Sequence, residues 1–171
     1  MEQRQGPMYA MDTYPEVLKI EGIRLVEKWR DEFGLFKNEH PNFTNTDRIQ
    51  MSLKLIKEEA DELEEAVLAN DPVEIIDAVG DLYFVVTQMA KVVGVDPHAI
   101  VEEVYNSNMS KFASTEEIAI ASVQKYVSEN IAAHYIPYKN KFKIIRSEDG
   151  KLLKSLEFKE PDFKKLLEGI V

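Results

Sequence analysis

Five carboxylates between residues 59 and 81 are spaced so that they could act together. Glu59 and Glu62 stand three apart, and Glu74, Asp77 and Asp81 follow at i, i+3 and i+7 beyond the short Asn70-Asp71-Pro72 turn. If both segments are helical, each set lies along one side of its helix. With Leu63 as origin and about 100° per residue, Ile56, Ala60 and Val67 fall within roughly 60° of it, while Glu59 falls at about −40° on the apolar stripe itself. Glu62 lies near the edge of that stripe. Glu58, Asp61 and Glu65 point away, as solvated charges do. After Asp81 the second segment is apolar on every side (Leu82 to Val86), the pattern of a helix buried all round.

An antiparallel pair joined by so short a turn would gather four or five carboxylates at a partly dry surface. Two such charges about 5 Å apart repel by roughly 3 kcal/mol at an effective dielectric of 20, and several pairs multiply this. The cluster therefore needs cations. Oxygen ligands without Cys or suitably placed His favour Mg²⁺, Mn²⁺ or Ca²⁺ over zinc. Plainer roles compete for some of these residues. Asp71-Pro72-Val73-Glu74 has Asp, Pro and Glu at the N-cap, N1 and N3 positions of a helix start, so Glu74 also reads as a capping residue. Glu58, Glu64 and Glu65 also read as a solvated face.

The elements that must position these acids follow from periodicity and punctuation. Residues 1–8 carry little to bury and read as a loose tail. A helix is expected from about Tyr14, with Trp29 and Phe33 at i and i+4 near its end and Gly34 as its stop. Residues 35–45 form a loop rich in turn residues, whose Phe36, His40 and Phe43 read as packing rather than as a pocket. The acidic helices span about Thr46–Ala69 and Pro72–Val93, the second stopped by Gly94. Asp96-Pro97 opens a fourth helix to about Phe112. Near its end Tyr105, Asn108 and Lys111 share one side at i, i+3 and i+6, and their amide and ammonium groups suit an anionic ligand, with a solvated helix end as the plainer alternative. Ser114-Thr115-Glu116-Glu117 reads as a capping box for a fifth helix to about Ile131. Residues 140–157 then read as a β-hairpin, Phe142–Arg146 against Lys151–Leu156 across Ser147-Glu148-Asp149-Gly150, and Pro161-Asp162 begins a last short helix. The whole reads as one all-α domain, a bundle of four to five core helices over residues 14–131, with the hairpin as an appendage.

Composition narrows the classes. The 171 residues suit a single domain with a real core, and the hydrophobic content of 44% is ordinary. A net charge of −10 argues against nucleic acid and anionic membranes as partners. The absence of cysteine excludes a disulfide framework and a zinc-thiolate site, and fits a reducing cytosol. Neither a leader peptide nor an apolar run of membrane-spanning length is seen, so a soluble cytoplasmic protein is expected.

The order Glu58-Glu59-x-x-Glu62, then Glu74-x-x-Asp77 with Asp81 a turn later, then Ser107-Asn108-Met109-Ser110-Lys111, resembles the all-α nucleoside triphosphate pyrophosphohydrolases, the MazG-like and phosphoribosyl-ATP pyrophosphatase-like superfamily. The resemblance covers roughly residues 15–112. It implies a MazG-like helical bundle, assembled as a homodimer or homotetramer, that splits nucleoside triphosphates between the α and β phosphates with Mg²⁺, or with Mn²⁺ in its place. It makes Glu59, Glu62, Glu74 and Asp77 metal ligands, with Asp81 ligating or supporting them and Glu58 orienting a ligand or the water. Asn108 and Lys111 become holders of phosphate oxygens. Related sequences often carry His where this chain has Tyr105, so Tyr105 receives no acid-base role. The hairpin with Asp149-Gly150-Lys151 and Lys154-Ser155 resembles the tail of one branch of these proteins.

The chemistry of the residues agrees: metal ions would neutralise a polyphosphate and acidify water, and Glu59 or Glu58 could take the proton. Phosphoribosyl-ATP is the alternative substrate within the class. Outside it stand a non-catalytic nucleotide- or metal-binding helical assembly protein and a di-iron carboxylate bundle. The latter needs Glu-x-x-His, and His40, His98 and His134 each lack a Glu three residues before.

Overall fold

The computed structural model describes residues 21–167, so the expected loose tail and the start of the first helix lie outside the described residues. Among the described residues, five helices are followed by a small three-stranded antiparallel sheet. They are α1 (Glu21–Glu32), α2 (Thr46–Ala69), α3 (Pro72–Val92), α4 (Pro97–Met109) and α5 (Glu116–Ser128), then β1 (Ala133–Tyr138), β2 (Lys141–Arg146) and β3 (Leu152–Leu153), with a 3₁₀ turn at Lys164–Leu167. The helical architecture expected from the sequence is present, with the strands confined to the C-terminal part. It divides into two compact units, one ending at Pro97 and the other beginning at His98. The sequence reads as one domain with a hairpin appendage; the structure groups α4 and α5 with the strands. Among the described residues no single helix is long and apolar enough to cross a membrane.

The first unit is built on the antiparallel pair α2 and α3, with α1 packed on α3. Ala66 and Ala78 are buried where the acidic helices meet, and on α1 Ile23 and Val26 are buried. Trp29 sets its ring edge-on to Phe84 at 5.1 Å, and the Phe33 ring lies tilted to it at 5.0 Å. The loop between α1 and α2 is strapped to the end of α3. Asn38 N–H donates to Lys91 O (3.1 Å), Asn38 Nδ2 to Val92 O (2.5 Å) and Asn42 N–H to Val93 O (2.9 Å). Gly94 is required at the end of this strap: its φ is +73°, and a Cβ there would lie 2.0 Å from His40 O.

The second unit folds α5 against the sheet around Ala113, Ala119 and Ile144, with Ile118, Val123, Tyr126, Tyr135, Phe142 and Leu153 packed on them. Here the sequence expectation needs correction. The 142–146 segment does pair beyond the Asp149-Gly150 turn, but only through Ile144↔Leu153 and Ile145↔Leu152. Its longer partner is β1, paired from Ala133↔Arg146 to Tyr138↔Lys141, which the sequence reading left unassigned. α5 stops at Ser128 instead of Ile131, where Asn130 takes a left-handed φ of 62°. α4 stops at Met109 rather than Phe112, and the last helix is reduced to the 3₁₀ turn.

Candidate active site

The turn between the acidic helices shows why both begin and end where they do. Asn70 closes α2 in the left-handed conformation (φ 53°), its N–H turned back to Ala66 and Val67 carbonyls. Asp71 then caps α3, accepting from Val73 N–H (3.0 Å) and Glu74 N–H (3.3 Å), with Pro72 in the first turn. Asp71 N–H itself goes to Ala66 O. Glu74 therefore does not complete a reciprocal capping box, and its carboxylate is left to face outward.

Glu59 is half-buried, while Glu62, Glu74, Asp77 and Asp81 are exposed in the single chain. The electrostatics tie the two helices together. Burial pushes the Glu59 carboxyl above the ordinary carboxylate range, and the negative charges of Glu62, Asp81, Glu58 and Asp77 push it further. Glu62 and Glu58 come from the same helix; Asp77 and Asp81 reach it from α3. Glu74 is not among the groups acting on Glu59. It lies nearer the turn, where it lines a depression of about 400 Å³ with Glu62, Glu65, Ala66, Ala69 and Asp71. The acids thus form a band along one side of the helix pair. Among the described residues no three of these oxygens gather within 4.8 Å of one another, as mutual repulsion dictates.

Glu58 and Glu65 are both exposed, as the periodicity indicates. Glu65 also borders the depression, with Glu62 and Glu74. Glu58 is exposed and paired with Lys54 at 3.1 Å, so it touches the set only through its field on Glu59. The apolar run after Asp81, expected to be buried all round, is not: Val85 is buried, but Tyr83 and Val86 are half exposed.

The Ser107–Lys111 stretch, in the second unit, splits into two jobs. Lys111 Nζ donates to Asn108 Oδ1 at 2.7 Å, leaving an amide and an ammonium paired near the surface. The serines hold structure instead. Ser107, buried, donates to Lys159 O (2.9 Å), and Ser110 Oγ accepts from Lys159 N–H (2.9 Å). Sequence reasoning missed this clasp because Lys159 lies in an irregular segment with no periodic signal.

A helix pair carrying a band of carboxylates along one side is what the resemblance to the MazG-like superfamily leads one to expect. Residues 26–108 match the family model of phosphoribosyl-ATP pyrophosphohydrolase, which belongs to that superfamily; the match takes in both acidic helices and reaches Asn108. The chain is also 34% identical over 96 residues to an uncharacterized protein of Acanthamoeba polyphaga mimivirus, across 51% of this chain and 38% of that protein. The chain thus spans well under half the length of this relative.

Proposed function

We propose that the protein hydrolyses nucleoside or deoxynucleoside triphosphates to the monophosphate and pyrophosphate, with Mg²⁺ or Mn²⁺ as cofactor. The observation that carries this reading is the band of acids along the α2–α3 pair, in which Glu62, Asp81, Glu58 and Asp77 act electrostatically on half-buried Glu59, a concentration of negative charge that a divalent cation relieves. The donor set is all oxygen and fits a hard cation. Glu59, Glu62, Glu74 and Asp77 would hold it and Asp81 would support them. A bound Mg²⁺ supplies neutralisation of the polyphosphate charge and acidifies water. Glu59 stands where it could accept the proton of the attacking water. Glu58 serves as its neighbour in that role, steered by Lys54. Asn108 and Lys111 are assigned to phosphate oxygens through the motif they share with the superfamily.

The proposal extends to assembly as a homodimer or homotetramer. Val73, Ile76 and Leu68 are 70%, 74% and 79% exposed in the single chain, an apolar surface that a second copy would cover. Location in the cytoplasm remains part of the reading, on the cysteine-free composition.

Turnover with Mg²⁺ set against turnover in chelator tests the proposal. Activity with the metal and its loss in chelator are expected; equal rates would sink the metal role, and no turnover of any triphosphate would favour a non-catalytic binding protein. A second reading, phosphoribosyl-ATP as substrate, is favoured by the family model that residues 26–108 match.

A further inference from the structure

A cavity of about 430 Å³ opens within the second unit, walled by Asn106, Ser110, Phe112, Lys141, Glu157 and Lys159 among others. Apart from Asn106, these residues lie beyond the segment matched by the family model. The volume falls in the range of small-molecule sites.

The wall is built. Besides the Ser107 and Ser110 bonds to Lys159, Ser155 N–H donates to Lys111 O (3.2 Å) and Ser155 Oγ to Ser110 O (3.1 Å), so the segment after β3 is tied along the end of α4. Ser155 is itself buried. The one acid in the wall is committed: Glu157 accepts from Ser114 N–H (2.7 Å) and Ser114 Oγ–H (2.8 Å), one bond to each of its oxygens. Neither Lys141 nor Lys159 has an ion-pair partner among the described residues. The Phe112 ring, stacked on Tyr138 at 6.1 Å, adds an aromatic flank. Residues 98–171 carry eleven basic and eleven acidic side chains, whereas residues 1–97 carry ten and twenty. An anion meets no general repulsion from this half of the sequence.

We infer that this cavity binds the phosphate of a nucleotide without a metal ion. Lys141 and Lys159 take the phosphate oxygens, Phe112 supplies a face for the ring and the Asn106 amide a hydrogen bond to its edge. The site is self-contained in the second unit and needs no carboxylate from α2 or α3.

Calorimetric titration of the full chain with adenosine monophosphate in excess chelator tests this. Saturable binding is expected, weakened about tenfold or more in a Lys141→Gln/Lys159→Gln double variant, retained in the Lys→Arg pair, and unchanged in Glu62→Gln. No binding by the wild-type chain up to about 10 mM, or equal binding by the Gln pair, overturns the inference. Inorganic phosphate binding as tightly as the nucleotide would overturn the part given to Phe112. The titration needs neither metal nor turnover, so it can succeed where the proposed hydrolysis fails and fail where that succeeds.

Discussion

Glu59 is where the acidic band meets the packed face between α2 and α3, and it alone among these acids is both half-buried and surrounded by like charge. Glu59→Gln, Glu62→Gln and Asp77→Asn should each lower turnover about a hundredfold, roughly 2.7 kcal/mol of transition-state stabilisation, while the fold survives. Glu65→Gln should cost far less, since Glu65 borders the depression without acting on Glu59; a loss equal to that of Glu62→Gln would move the site toward the turn. The raised carboxyl also predicts a pH dependence. A native carboxyl that holds its proton more tightly than the unfolded chain does loses stability as pH rises from the ordinary carboxylate value through its raised one. In chelator, Glu59→Gln should therefore gain on the wild type across that window, read from paired denaturant melts. A difference that stays constant with pH would mean the charge cluster is already relieved. The position of Glu59 on the stripe was legible because helix geometry places every third and fourth residue on one face. The exposure of Glu65 was equally legible; that it borders a depression was not, because periodicity gives the direction of a side chain and not the shape of the surface between two helices.

Among the elements, the α2–α3 turn was the most legible, since Asn70, Asp71 and Pro72 each have a local physical reason to be there and all agree. Asp71→Ala should cost about 1 kcal/mol, in the range for a lost N-cap with two backbone donors, seen as a lower urea midpoint at unchanged slope. No change would mean that Pro72 alone sets the helix start. The sheet was misread at β1 because Pro137 interrupts the run Ala133–Tyr138, and proline within a run argues against a strand. The structure resolves the conflict: β1 is an edge, and Pro137 faces Phe142, whose own N–H and C=O both bond to Ala113 on the opposite side. At that position the ladder asks nothing of the missing N–H. Likewise the clasp of Ser107, Ser110 and Ser155 has no sequence signal, because its partners are backbone groups some fifty residues away.

For the whole molecule, the apolar run after Asp81 leaves Tyr83 and Val86 half exposed in the single chain, a surface that a second copy would cover under the proposed assembly. Light scattering at micromolar concentration should give at least twice the chain mass of 19.6 kDa. A fully active monomer would contradict the assembly. The most direct test of the central claim is the position of the cut. Incubation of ribo- and deoxynucleoside triphosphates with Mg²⁺ should yield monophosphate and pyrophosphate in equal amounts with no free diphosphate on the way, and phosphoribosyl-ATP should not be cleaved far faster than these. Orthophosphate release with accumulation of the diphosphate would contradict the account.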